Sequence, residues 1–286
     1  MPSRPTRLKR RLGSRLRAAR ETAGVTQADA ADELHTEATT VSRYESGQNR
    51  LPWTSLAVLM DLYKVGDDDR KVLQELWEDA SRPTPQVRLP TGTPDIVREL
   101  VRAEREASRA LEVAPTVVPV LLQTPDYARA VLLAVDPDMR MRHVDEFVAA
   151  RMDRQQLLTD GHPLVEYHAI LDEAVLRRAV GGSEAMSAQL ARILDVATRP
   201  NVTVQVIPVA AGAYGMMTGP CSIFVYDDPT DSIAYLDHLA GGNWVTDDAD
   251  TRRLLGMFDA LSKQALSPAE SLDVIIKMKS DRFFTL

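Results

Sequence analysis

The sequence predicts an all-α head of five helices joined to an α+β body, and three observations carry that prediction. Apolar residues recur at helical spacing up to about residue 80, interrupted by glycines and by side chains that cap helices. Residues 82–94 then hold four prolines in thirteen positions, the texture of a semi-rigid linker. Beyond them, helical patterns alternate with runs rich in β-branched residues, the mark of a segment that builds a sheet. A length of 286 residues also favours two domains, because single cores stop growing near roughly 250–300 residues. The division read from these signals is a head over 1–81, a linker over 82–94 and a body over 95–286.

In the head, Leu12, Leu16, Ala19 and Ala23 line one side of a first helix, and Gly24 stops it. Thr26, with Asp29 three positions on, is a variant capping box opening a second helix through Leu34. A third helix runs from about Ala38 to Ser46 and stops at Gly47. A fourth begins near Pro52 with Trp53, Leu56, Met60 and Tyr63 on one face. The fifth, Asp68 to Ala80, buries Val72, Leu73, Leu76 and Trp77.

In the body, Thr93 is positioned to cap a helix with Pro94 at its first position, running to about Leu111. Expected strands are Leu164–Ile170, Val202–Ile207, Ser222–Tyr226 and Ile233–Leu236. Expected helices are Asp126–Ala134, Val144–Thr159, Ser183–Thr198 and Ala249–Gln264, and Ser267 with Glu270 caps a last one.

Composition narrows the function classes. An apolar fraction of 44% is ordinary for a globular chain and argues against long disorder. No apolar run approaches the ~20 residues of a membrane span. The basic start Met1-Pro2-Ser3-Arg4 has no apolar signal core behind it, so the cytoplasm is the expected location and no membrane partner is expected. A single cysteine, Cys221, removes disulfide frameworks and all-cysteine metal sites, and it reads as core. The net charge of −7 hides an asymmetry: ten cations against six anions give residues 1–53 a charge of +4, leaving −11 for the rest. A basic head on an acidic body suggests that only the head approaches phosphate.

Between Leu34 and Ala38 lie only three residues, so helices two and three cross steeply, which is helix-turn-helix geometry. Val41 and Tyr44 face inward from the third helix, and Thr39, Ser42 and Arg43 fall on the opposite side. That side is short-armed except for one arginine, which suits a helix pressed into a major groove. Arg43 matches a guanine edge, and Thr39 and Ser42 reach base or phosphate. The run with Arg4, Arg7, Lys9, Arg10 and Arg11 fits a basic arm in the minor groove, and equally a solvated tail.

Gly24-x-Thr26-Gln27, the run Val41-Ser42-Arg43-Tyr44-Glu45-Ser46-Gly47 and the helix ahead of both resemble the XRE family of helix-turn-helix repressors, the Cro and phage-repressor type. The resemblance implies that Arg20 and Gln27 bind phosphate and that Glu45 pairs with Arg20. It further implies base contacts from Ala38, Thr39 and Arg43, with Ser42 beside them, and backbone contacts from Thr40, Gln48, Asn49 and Arg50. Two positions depart from the pattern: His35 stands where glycine is usual, and Glu37 where a serine or threonine cap is usual. Thr36 is expected to cap instead, with Glu37 inside the first turn. A glutamate there repels phosphate, so the third helix is expected to enter the groove at an altered angle.

The runs Val118–Arg129, Leu171–Arg178, Arg199–Pro208, Gly219-Pro220 and Ser267–Ser271 resemble actinobacterial regulators that join an XRE head to a C-terminal domain of unknown function. Val120 replaces a usual glycine there and Ala114 a usual acid. That resemblance implies a regulator often encoded beside a very small partner protein, in an arrangement likened to toxin–antitoxin pairs. Within the body, Glu173 and Arg177 read as an ordinary ion pair beside Asp172 and Arg178. Glu166, His168, Asp237 and His238 do not fix the ligand count or geometry of a metal site. Tyr214, Met216 and Met217, in a glycine-rich run over 210–220, suit adaptable contact with a ligand or partner, and equally a plain connector.

No nucleophile–base pair, phosphate loop or metal spacing appears, so neither catalytic residues nor a cofactor are expected. The expected function is a sequence-specific transcriptional regulator. It binds double-stranded DNA as a homodimer on a pseudo-palindrome, and its body answers to a small-molecule effector or a small co-encoded protein. The alternative is an antitoxin-like module that sequesters such a partner and autoregulates its operon.

Overall fold

A computed structural model describes residues 7–81, 89–159, 166–226, 232–238 and 240–280. The chain divides into two compact units, one over Met1–Gln86 and one over Val87–Leu286.

The first unit is helical: α1 (Arg7–Thr22), α2 (Gln27–Glu33), α3 (Ala38–Glu45), α4 (Trp53–Leu62) and α5 (Asp67–Ser81). Its core joins Leu12 and Leu16 of α1, Ala30 and Ala31 of α2, Val41 of α3, Leu56, Leu59 and Met60 of α4, and Leu73 and Leu76 of α5. The sequence places Val72 and Trp77 in that core, but both are half-buried. Trp77 instead donates its indole N–H to Leu51 O at 2.8 Å and packs on Trp53 with ring centroids 5.1 Å apart. Helix α1 begins more than a turn before Leu12, so Arg7, Lys9, Arg10 and Arg11 are helical rather than an extended arm. Nothing between Arg7 and Leu12 breaks a helix, and lysine, arginine and leucine all favour one. Arg4 lies outside the described residues.

Two glycines set the geometry of this unit. A Cβ on Gly13 would stand 2.3 Å from Glu45 O and 2.5 Å from Tyr44 O, so α1 and α3 approach as closely as they do only because the side chain is absent. Gly24 ends α1 at φ +68°, with its N–H bonded to Glu21 O and that of Val25 to Arg20 O. The same Schellman pattern ends α2: His35 N–H meets Asp32 O at 3.1 Å and Thr36 N–H meets Ala31 O at 2.9 Å. There His35 itself sits at φ +50°, a conformation that costs roughly 1–2 kcal/mol for a residue with a Cβ. That is the physical reason a glycine suits the position. Glu37 is the N-cap of α3 and its side chain caps no backbone N–H. Thr36 lies one position too early to cap.

The second unit opens with α6 (Asp95–Glu106), and a packed turn precedes it at residues 89–94, while residues 82–88 of the expected linker lie outside the described residues. Pro90 is buried, Thr93 is 5% exposed, and the Thr93 hydroxyl donates to Pro90 O at 2.7 Å. Pro94 is therefore the N-cap and Thr93 caps nothing. Then follow β1 (Arg109–Ala114), α7 (Pro125–Val135), α8 (Met141–Arg154), β2 (Glu166–Asp172), α9 (Glu173–Arg177), α10 (Ser183–Val196) and β3 (Val202–Ile207). The chain continues through β4 (Cys221–Val225), β5 (Ile233–Leu236), β6 (Asn243–Val245), α11 (Asp248–Gln264) and α12 (Pro268–Ser280). The helix expected to run to Leu111 stops at Glu106, and the residues after it form β1.

These strands form one sheet in the order β3-β2-β1-β4-β5-β6. β1 pairs in parallel with β2, and β2 with β3, whereas β4, β5 and β6 join antiparallel. The unit is a mixed sheet with helices on both faces. Ala110, Tyr167, Val204 and Phe224 pack one face against α10 and α12, through Met186, Leu190, Ile275 and Met278. Leu111, Ile170, Ile223 and Cys221 pack the other against Phe258 and Leu261 of α11. No helix among the described residues is long and apolar enough to cross a membrane.

Candidate nucleic-acid interface

The Thr26 hydroxyl accepts from Asp29 N–H while Asp29 reaches back to Thr26 N–H at 3.0 Å. This fixes where α2 starts and therefore where Gln27 points. From there a polar frame runs through the interior. Arg20 of α1 donates through Nε to Glu45 Oε1 at 2.6 Å and through Nη2 to Oε2 at 3.2 Å. Its Nη1 donates to Val25 O at 2.9 Å. Gln27 of α2 donates its amide to Glu45 Oε2 at 2.7 Å. One carboxylate of α3 thus holds three helices at once. Arg20 is 9% exposed and Glu45 6%, and the hydrogen bond to Glu45 raises the Arg20 pKa further, against burial. The Tyr63 hydroxyl, buried nearby, has no hydrogen-bond partner among the described residues, and burial drives its pKa upward.

The opposite side of α3 is bare. Ala38, Thr39, Ser42 and Arg43 are exposed and Thr40 is half-buried. The Thr39 hydroxyl donates to Glu37 at 3.1 Å. Among the described residues the Arg43 side chain makes no hydrogen bond or ion pair, while its carbonyl accepts from Asn49 N–H at 3.1 Å. Gln48, Asn49 and Arg50 are exposed just past the helix. Of the phosphate candidates, Arg20 therefore lies inside and Gln27 is half-buried, whereas the other four stand at or near the surface. The close approach at Gly13 was not foreseen, though a glycine within a helical pattern is the kind of signal that marks one.

In the body, the candidate loop is largely built in. Tyr214 donates to Asp172 Oδ2 at 2.7 Å, and Tyr214 and Met216 pack on the core around Phe258. Met217 alone of the three is exposed, at 47%. Asp172 also caps α9 through Ala174 N–H, and Glu173 pairs with Arg177 while accepting from Val209 N–H at 2.8 Å. Glu166 bonds Arg109 at 2.8 Å, and His168 shares Gln205 with Ser262. Among the described residues no three His, Cys, Asp or Glu side chains gather as a metal site.

A family model described as Domain of unknown function (DUF5753) matches residues 97–277. The chain belongs to that family. The DUF5753 match starts inside α6, ends inside α12 and takes in every strand of the sheet. A second model, described as Helix-turn-helix domain, matches residues 11–73, from α1 into α5. The DUF5753 domain is thus carried behind a helix-turn-helix head, and such a head points to a DNA-binding regulator. No curated protein and no solved structure matches the chain.

Proposed function

We propose that this chain is a sequence-specific transcriptional regulator of the XRE type, working in the cytoplasm and binding double-stranded DNA as a homodimer on a pseudo-palindromic operator. The observation that carries the reading is the split character of α3. Val41 and Glu45 are locked inside, and Ala38, Thr39, Ser42 and Arg43 project a bare polar edge. Inserted in the major groove, Arg43 takes a guanine through O6 and N7, while Thr39 and Ser42 reach neighbouring bases. Thr40, Gln48, Asn49 and Arg50 meet the phosphates that set register. Arg20 and Gln27 act as positioning residues, since both are committed to Glu45. Half-sites then lie about one helical turn apart, or a multiple of it. The body modulates the head in answer to a small-molecule effector or a small partner protein, as in the actinobacterial regulators that its motifs resemble.

Fluorescence anisotropy on DNA from upstream of the gene, with random DNA as competitor, tests the reading. Arg43→Ala loses roughly 1–3 kcal/mol on the specific site and little on random DNA. Equal losses on both would place the reading face elsewhere.

A further inference from the structure

One face of the body's sheet carries two polar residues, Glu112 and Ser222, that keep water-accessible surface among buried neighbours. Strand residues alternate between faces, and on the face that packs α10 and α12 the register aligns Ala169, Glu112, Ser222, Tyr235 and Trp244 across five strands. Ala110 and Ala114, on the same face of β1, are each 4% exposed, yet Glu112 between them keeps water-accessible surface. Ser222, directly opposite on β4, does the same beside Phe224, which is 2% exposed. A side chain in the middle of a sheet meets water only where the layer above it is open. Glu112 and Ser222 therefore floor a crevice, kept low by the small Ala169 and Ser222 on either side.

The polar groups around it are specific. Tyr167 donates its hydroxyl to Glu112 at 2.7 Å. Glu104 of α6 and Arg154 of α8 form a buried bidentate pair at 2.9 and 3.0 Å, so each uses the other's charge. Arg151 of α8 donates to Gln123 at 3.1 Å, and Asp237 lies exposed just past the end of β5. The Tyr235 and Trp244 rings meet at 5.1 Å, and the Trp244 indole N–H is buried with no partner among the described residues. With Glu104 and Arg154 cancelling, Glu112 in its ionised form and Asp237 against Arg151 leave one negative charge. Burial raises the Glu112 pKa to about 7, despite the Tyr167 hydrogen bond. A half-buried carboxylate in that state gains from an added cation in contact with it.

We propose that this crevice binds a small organic monocation, a primary amine with an apolar body and a distal oxygen. The ammonium sits against Glu112, the body lies on the half-buried Trp244 ring, and the oxygen accepts from the Trp244 indole N–H. Aromatic faces attract such cations, and an apolar crevice with a few fixed polar groups is the usual form of a small-ligand site. The site is defined by the body alone and does not rest on the head's reading of DNA.

Tyramine is the probe, with tyrosol (neutral) and 4-hydroxyphenylacetate (anionic) as near-isosteric controls, titrated into the full chain by calorimetry. Tyramine gives a saturable isotherm, and both controls bind at least about tenfold more weakly. Glu112→Gln keeps the acceptor for Tyr167 and lowers tyramine affinity by about tenfold or more. Ser222→Leu fills the floor without changing charge and abolishes binding. Circular dichroism shows that both variants remain folded. No saturation up to about 10 mM tyramine, equal binding of tyrosol, or unchanged affinity in folded Glu112→Gln would each overturn the proposal. DNA anisotropy on the same variants reports separately on the head, so failure of one reading is distinguishable from failure of the other.

Discussion

Glu112→Gln isolates the energetic effect of a carboxyl on the floor of the sheet. In the native state burial carries its pKa from the ordinary 4.5 to about 7, with Tyr167 and Arg154 opposing the rise and Glu104 and Asp237 adding to it. The unfolded chain releases this proton near pH 4.5 while the native chain holds it to about pH 7. Between those values the native state binds more protons, so stability falls as pH rises. The contribution is whole below about pH 4.5 and lost above about pH 7. A separation of about 2.5 units corresponds to roughly 3 kcal/mol. Glutamine accepts the same Tyr167 hydrogen bond and carries no charge to desolvate. Hydrogen exchange on peptides from β1 and β2, corrected for intrinsic rates, reads the opening free energy of this unit alone. Between about pH 5 and about pH 8 the wild type loses roughly a hundredfold in protection beyond any loss in Glu112→Gln. Groups with shifted pKa values that are not coupled to Glu112, such as His168, act equally in both proteins and cancel. Parallel pH profiles for the two proteins would refute the reasoning.

Three further predictions concern the head, read through Trp53 and Trp77 emission during urea unfolding in a Trp244→Phe background. Glu45→Ala strands the buried Arg20 charge and costs about 3–5 kcal/mol; a loss below about 1 kcal/mol would equate the pair with an exposed one. Gly13→Ala drives a methyl into the Glu45 and Tyr44 carbonyls and destabilises by about 1–3 kcal/mol or more, whereas a neutral result would mean that α1 and α3 do not pack at this distance. His35→Gly relieves a left-handed residue and raises stability by about 0.5–1 kcal/mol; a destabilised variant would show that His35 contributes more than its backbone.

The head was legible because its signals are local. Gly24, the Thr26–Asp29 box and Gly47 punctuate helices over short spans, and Val41 and Tyr44 against Ser42 and Arg43 separate inside from outside by simple periodicity. In the body, Val202–Ile207 and Ile233–Leu236 match their strands residue for residue, since short runs of β-branched, aromatic and apolar residues bounded by Asn201 and Pro208 or by Ser232 and Asp237 leave little choice. β1 escaped for the opposite reason. Arg109-Ala110-Leu111-Glu112-Val113-Ala114 is rich in good helix formers and continues the pattern of α6, and its strand conformation comes from pairing with β2 and β4 at long sequence separation. Tertiary context overrode propensity there. The crevice at Glu112 was hidden for the same reason, because it exists only once β1 is placed mid-sheet. Arg20 shows a third limit. A sequence motif marks an arginine as important without saying whether its charge faces solvent or a buried partner.

The clamp at Glu45 also makes the head modular. Arg20, Gln27 and Glu45 fix how three helices cross, and none of them shares a side-chain hydrogen bond with Ala38, Thr39, Ser42 or Arg43. Substitutions along the outer edge of α3 can therefore accumulate without loosening the scaffold, and residues at sites without shared partners tend to contribute additively. If the outer edge of α3 reads bases as proposed, rewriting four positions redirects the head to a new operator, which gives a lineage of such proteins a short mutational path between targets.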